Sequence, residues 1–142
     1  MAGQLYKLDG AVTESRYVSQ AVTAGQIVAP DTSAALDANG FRQVKPAAAG
    51  ATAVSGVAML SATNAALADN TFVHARTSTT IIRKGQARVV FAAACEEDTP
   101  LVVAANGAVT GYTAGTTTGD QIIGKCLQKV TAAGEGIALI DC

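Results

Sequence analysis

Residues 119–142 read GDQIIGKCLQKVTAAGEGIALIDC, and this stretch decides between a thiol enzyme and a structural β protein. Aliphatic and polar residues alternate through its first half, a Thr/Ala/Gly-rich segment follows, and IALID ends the chain. Such alternation indicates a half-buried strand, and small residues between two such runs indicate a turn. We therefore predict a strand, a turn and a strand, with Cys126 packed as a small apolar residue and Lys125 and Lys129 facing outward.

Three other segments show the same pattern: residues 16–30 (RYVSQAVTAGQIVAP), 71–91 (TFVHARTSTTIIRKGQARVVF) and 99–113 (TPLVVAANGAVTGYT). A tight turn at Lys84, Gly85 and Gln86 is predicted to fold residues 71–91 into a hairpin, and Asn106-Gly107 to join two strands in 99–113. Turn residues recur about every eight to twelve positions, which is typical of all-β folds. The predicted fold is mainly β, a compact sandwich or barrel of short antiparallel strands with little helix.

A faint internal similarity predicts two similar β-units. The ANG at residues 38–40 and the SGVAML at 55–60 resemble the later ANG at 105–107 and the IIGKCL at 122–127. Gly56 and Gly124 would then be structural glycines at equivalent strand positions, where a bulge or a close backbone approach excludes a side chain. Chance agreement in a chain rich in Ala and Gly is the other interpretation.

The domain organisation predicted is an N-terminal arm or edge strand at residues 1–20, followed by a single β-rich domain at 21–142. The first segment has several charges and little alternation, unlike the rest. The 142-residue length suits one core, and aromatics make up only 4% of the residues. A core of small side chains buries little area per residue, so self-association would compensate.

Charge and hydropathy exclude several classes of partner. The net charge is −1 and only 15% of the residues are charged, so no basic surface for nucleic acid is expected. The uncharged stretch at residues 47–68 has few large aliphatics, which argues against a membrane span. The N-terminus lacks the pattern of a secretory signal, so synthesis and assembly in the cytoplasm are expected.

The candidate chemical groups predict no catalytic, cofactor-binding or metal-binding residues. Cys95, Cys126 and Cys142 are widely spaced and form no CxxC pair, although whether two of them pair in space stays open. The acids at 96–98 are interpreted as a solvated loop, because consecutive carboxylates in an extended loop point in different directions. No phosphate-binding glycine loop or nucleophile elbow is present. The chain is therefore expected not to be an enzyme.

One concentration of positive charge stands out. Arg83, Lys84 and Arg88 flank Gly85, and at a hairpin tip they could present cations to an acidic protein surface. An ordinary solvated turn is the alternative interpretation.

The order of motifs resembles the tailed-bacteriophage capsid cement, or decoration, proteins, a family once catalogued under a domain of unknown function. SGVAML (55–60), NTFVHARTSTTIIRKG (70–85), TPLVV (99–103), ANGAVT (105–110), QIIGKCLQKV (121–130) and GIALID (136–141) follow one another as in those proteins, and VTAGQIVA (22–29) is similar to their early strand. Glu97-Asp98-Thr99-Pro100 departs from the family pattern, in which many members have Gly-Asp and then an aromatic residue.

The resemblance implies a non-enzymatic structural protein of the virion. Such a protein binds the outer surface of the expanded phage head, stabilises it by bridging neighbouring major capsid subunits, and is a homo-oligomer, with a homotrimer favoured. Arg83, Lys84 and Arg88 would be candidate capsid contacts. The alternative is another phage structural or glycan-binding β-domain, such as a head-fibre, tail or lectin-like module.

Overall fold

The computed structural model describes residues 5–62, 78–113 and 121–142, with the backbone alone described for residues 5–10. The one helical element of these residues is a single 3₁₀ turn at Ala105–Gly107. The strands are β1 (Leu5–Tyr17), β2 (Ile27–Pro30), β3 (Val44–Pro46), β4 (Gly56–Ala58), β5 (Ser78–Phe91), β6 (Pro100–Val103), β7 (Val109–Gly111), β8 (Gly124–Cys126) and β9 (Gly134–Asp141). The prediction of a mainly β fold with little helix is confirmed. No helix in these three ranges is long and apolar enough to cross a membrane.

Five strands of the second half of the chain form a closed barrel. β5 pairs with β9, β9 with β8, β8 with β6 and β6 with β7, all antiparallel. The barrel closes where Phe91 of β5 pairs in parallel with Val109 of β7. Closure removes the free sheet edges that would otherwise invite pairing with another chain.

The first half of the chain repeats this ring with β1, β5, β4, β2 and β3. β1 pairs with β5, β5 with β4, β4 with β2 and β2 with β3, again antiparallel. A parallel bridge between Val18 and Val44 closes the ring, just as Phe91 and Val109 close the other. Residues 5–17, which belong to the segment set apart as an arm or edge strand, are therefore the first strand of this ring. The long strand β5 belongs to both rings.

Equivalent backbone hydrogen bonds recur in the two rings. Val22 and Ala62 exchange two N–H···O=C bonds of 2.8 and 3.0 Å, and Cys95 and Val130 exchange two of 2.9 Å. The prediction of two similar β-units is thus confirmed, and Ala62 corresponds to Val130 by the same sequence offset that relates Gly56 to Gly124.

The cores of the two rings are also equivalent. Seven buried residues form the smaller hydrophobic cluster, and their seven counterparts all lie in the larger one. In chain order the pairs are Val18 and Phe91, Val22 and Cys95, Val28 and Leu101, Val44 and Val109, Ala58 and Cys126, Ala62 and Val130, and Ile81 and Ala138. The same backbone frame is therefore filled with different side chains in six of the seven pairs, and all of them are small or aliphatic except Phe91.

The larger cluster also joins the rings to each other. It includes Ile27, Val57 and Ile82 from the first ring along with the core of the second. Backbone bonds cross the junction as well: the Gly107 N–H donates to the Ala47 carbonyl at 2.8 Å. Burial across the junction couples the rings, because apolar surface of the first is removed from water by the second.

The predicted hairpin turn at residues 84–86 is wrong. β5 runs without interruption from Ser78 to Phe91, and Lys84, Gly85 and Gln86 lie in the middle of it. Gly85 has φ +132°, a conformation that side chains disfavour, and it lies where the pairing passes from β4 to β9. A glycine between charged residues suits a turn, but it also suits a strand that must change partners, since both need backbone freedom.

The predicted turn at Asn106-Gly107 is confirmed. Asn106 and Gly107 have φ of +56° and +71° in the 3₁₀ turn between β6 and β7. Asn and Gly adopt this left-handed region at the lowest cost, which is why the pair is a strong turn signal.

Candidate functional site

Cys95 and Cys126, the two cysteines that could suggest a thiol enzyme, lie inside the second ring. Cys95 and Cys126 are buried, and their counterparts in the first ring are Val22 and Ala58. The Cys126 Sγ–H donates to the Gln128 carbonyl at 2.8 Å. Burial, reinforced by the neighbouring Cys95, raises the pKa of Cys126 to about 11. A neutral thiol is a poor nucleophile, so the geometry indicates packing at this position.

This burial predicts a loss of stability at alkaline pH. A thiol whose pKa is about 11 in the folded chain and about 8.5 when unfolded favours the folded state below pH 8.5. That contribution falls as the pH rises from about 8.5 to 11, by at most about 1.4 kcal/mol per pH unit. Urea denaturation of the wild type and of Cys126→Ala at several pH values measures it. The difference between their unfolding free energies should shrink across this window, and a constant difference would contradict the assignment.

The acidic loop before β6 is neutralised by lysines around β8. Asp98 is 3.5 Å from Lys125, and Glu96 is 3.2 Å from Lys129, measured between carboxylate oxygen and Nζ. All four side chains are largely exposed, so each pair contributes little to stability. Among the described residues, no group of three or more His, Cys, Asp or Glu side chains could hold a metal ion.

The most distinctive polar feature is a groove of about 430 Å³ beside the first ring, which we call the arginine groove. Its walls come from β1, the end of β2, the loops before β3 and β4, β5 and the segment before β8. The residues that line it are Glu14, Arg16, Pro30, Arg42, Thr52, Ala53, Val54, Ser55, Arg83 and Gln121. Among the described residues that line it, three are arginines and one, Glu14, is a carboxylate, so these lining residues carry a formal charge of +2 in a chain whose net charge is −1.

Glu14 is shared between two of these arginines. Its carboxylate oxygens lie 3.0 Å from Arg16 and 3.4 Å from Arg83, and the Arg16 and Glu14 side chains are 19% and 25% exposed. Their backbones lie on the paired strands β1 and β5, where Glu14 is opposite Ile81. One carboxylate cannot neutralise two guanidinium groups, so this pair of arginines retains positive charge in a partly desolvated setting.

Arg42 and the neighbouring loop extend the groove towards exposed apolar groups. Arg42 donates to the Ala34 carbonyl at 3.3 Å, and the Arg16 guanidinium lies 4.5 Å from the centroid of the Phe41 ring. Phe41 and Tyr17 are 50% and 45% exposed. Exposed aromatics beside arginines are enriched at protein interfaces.

The predicted contact residues do not gather at one point. Arg83 lines the arginine groove, whereas the Lys84 Nζ lies 3.4 Å from Asp141 on an exposed surface. Arg88 lies further along β5, opposite Ile137 of β9, and does not line the groove. Whether any of the three meets a capsid stays a prediction.

Gly56 and Gly124 lie in the equivalent strands β4 and β8. A Cβ at Gly56 would collide with the carbonyl oxygen of Ile82, and one at Gly124 with that of Leu139, each closer than the 3.0 Å that real Cβ contacts respect. The colliding residues are themselves equivalent, one on β5 and one on β9. Both glycines therefore mark a place where the neighbouring strand approaches closely.

Sequence reasoning missed Glu14, Arg16, Arg42 and Gln121 as parts of the groove. They lie in segments far apart in the chain and share no motif. Only the charges of the N-terminal segment gave any signal, and that signal did not specify which ring or strand would carry them.

The chain matches known proteins in structure but not in sequence. No protein-family model matches the sequence, and no curated protein matches it significantly. Among solved structures, the chain is similar to one described as the head fiber gp8.5 N base in bacteriophage phi29. The TM-score is 0.62 at 12% sequence identity, over 92% of this chain and 94% of that one. At this identity the likeness shows a shared fold.

Proposed function

We propose that the chain is a structural protein of a phage virion, which binds the outer surface of the expanded head and clamps neighbouring major capsid subunits without catalysing a reaction. The observation that carries the proposal is the fold shared, over nearly the whole of both chains, with the N base of a phage head fiber. Fold alone does not define function. The motif resemblance to capsid cement proteins, which is independent of this comparison, supports the same role.

The side-chain chemistry supports a structural role. The thiols of Cys95 and Cys126 occupy core positions that valine and alanine fill in the other ring. Asp98 and Glu96 of the acidic loop are paired with Lys125 and Lys129. What remains exposed is a weakly charged surface with scattered large apolar residues, among them Val12, Leu36 and Ile122.

The clamping mechanism we propose is multivalent. In a homo-oligomer, with the trimer favoured, several modest contacts hold one assembly to several capsid subunits. Once the first contact forms, the others become intramolecular and gain an effective concentration, so overall binding exceeds that of any single contact. Binding only to the assembled, expanded shell stabilises that shell by mass action.

A second candidate function is the base of a head fiber that anchors a further structure to the capsid. The likeness to a head fiber N base favours it specifically. The two functions predict different defects in phage heads that lack the chain. A cement protein is needed for the heat stability of filled heads, whereas a fiber base is needed only for the appended structure.

Co-sedimentation with expanded heads tests the proposal. Heads of the phage that encodes the chain, prepared without it, are mixed with purified wild type or with Cys95→Val/Cys126→Ala and spun through a gradient. We expect both proteins to sediment with the heads at similar copy number, because the substitutions copy the first ring's core. Absence of wild-type protein from the head fraction would refute capsid binding. Loss of binding by a variant that keeps the wild-type circular dichroism would refute the purely structural role of the thiols.

A further inference from the structure

The arginine groove has the features of a built recognition site. Arg16, Arg42 and Arg83 come from three separate segments and converge on one concave surface. The Glu14 carboxylate contacts two of them at 3.0 and 3.4 Å and so holds their guanidinium groups in place. Guanidinium groups fixed in this way lose less conformational entropy on binding than free side chains, and they pair with carboxylates in bidentate geometry.

Gln121 indicates a second chemical group that a molecule bound in the groove should carry. Its side chain lines the groove, and its Oε1 is buried without a hydrogen-bond partner among the described atoms. A buried acceptor without a partner costs free energy, which an N–H group of a bound molecule would recover. The terminal torsion of a glutamine side chain is soft, so the amide can turn towards an occupant. The occupant should therefore supply both carboxylates and N–H donors.

We propose that the arginine groove binds an extended acidic segment of a partner protein. A peptide with aspartate or glutamate side chains offers carboxylates to the arginines and backbone N–H groups to Gln121. The described lining residues of the groove carry a formal charge of +2, which attracts an acidic segment even though the whole chain has a net charge of −1. Phe41 and Tyr17 lie next to Arg16 and offer apolar contact to a residue that follows the acids.

A binding experiment with defined peptides tests this inference. The probe is a fluorescein-labelled peptide, GDEDEDG, and its isosteric control is GNQNQNG, both titrated with the purified chain and followed by anisotropy. We expect the acidic peptide to bind and the amide peptide to bind at least about tenfold more weakly. Raising the salt concentration should weaken binding, because exposed charge pairs are screened.

Three variants localise the binding. Arg42→Gln and Arg83→Gln should each weaken binding of the acidic peptide at least about tenfold, which corresponds to about 1.4 kcal/mol. Arg88→Gln removes the same charge from the same strand as Arg83 but outside the groove, so it should bind like the wild type. Because Arg83 pairs with Glu14, urea denaturation should verify that each variant remains folded.

Several outcomes would overturn the inference. They are equal binding of both peptides, no binding of either, and an equal loss in Arg83→Gln and Arg88→Gln. Inorganic phosphate or a dT oligonucleotide that binds as tightly, with the same dependence on Arg83, would show a general anion site instead. These measurements use no phage heads, so their failure leaves the capsid proposal standing, and failed co-sedimentation leaves the peptide inference standing.

Discussion

Gly56→Ala is expected to lower the free energy of unfolding by about 2–6 kcal/mol, a large part of the 5–15 kcal/mol typical of a folded domain. Two costs combine. Gly56 has φ +148°, and holding a residue with a side chain in such a region costs about 1–3 kcal/mol. Its new Cβ would also collide with the Ile82 carbonyl oxygen and side-chain atoms of Ile81, and overpacking of this kind costs about 1–3 kcal/mol.

Gly134→Ala separates the two costs. Gly134 has the same φ of +148°, but a Cβ there would meet no atom within 4 Å. It should therefore lose only the conformational part, about 1–3 kcal/mol. Urea denaturation of both variants gives the comparison. Equal losses would show that the close approach of β4 to β5 is not tightly constrained, and that Gly56 is kept for its backbone conformation alone.

The glycines also show what the sequence could and could not predict about the fold. Local motifs alone pair Gly56 with Gly124, because a close approach of two backbones requires a glycine that is visible in the sequence at that position. Gly85 is equally visible in the sequence, but the turn predicted there is wrong because β5 runs through it. A glycine reports backbone freedom, but whether the chain uses it to turn back or to change strand partners depends on which distant strands are available. That β5 serves two rings is therefore a non-local fact.

The candidate site was less predictable than the fold for a related reason. Burial of Cys126 followed from its place in an apolar alternation, which is a local pattern. The arginine groove joins Arg16, Arg42 and Arg83 across the topology, and each of them alone is consistent with an ordinary solvated charge. Ring closure brings β1 beside β5, and only then does Glu14 lie between Arg16 and Arg83.

Phe91→Ala is expected to lower the free energy of unfolding by about 3–5 kcal/mol. Phe91 has the largest fully buried side chain among the described residues. Its ring occupies space that Gly136 leaves free, since a Cβ at Gly136 would come within 2.7 Å of it. In the first ring, Val18 takes the place of Phe91 and Thr79 that of Gly136. There two medium-sized side chains fill the space that one large side chain fills in the second ring. Truncation would leave a cavity that a rigid barrel cannot collapse to fill.

The same variant tests whether the two rings unfold together. β5 is shared, and Ile27, Val57 and Ile82 pack into the cluster that contains Phe91, so we expect loss of the second core to destabilise the first equally. Hydrogen exchange of the Val22 and Val130 amides, one in each ring, measures this. Both should lose protection by the same factor in Phe91→Ala, and by a smaller shared factor in Phe91→Leu, which retains more of the side-chain volume. If the Val22 amide kept its protection while the Val130 amide lost it, the rings would be separate folding units, and the cluster that spans them would contribute little to stability.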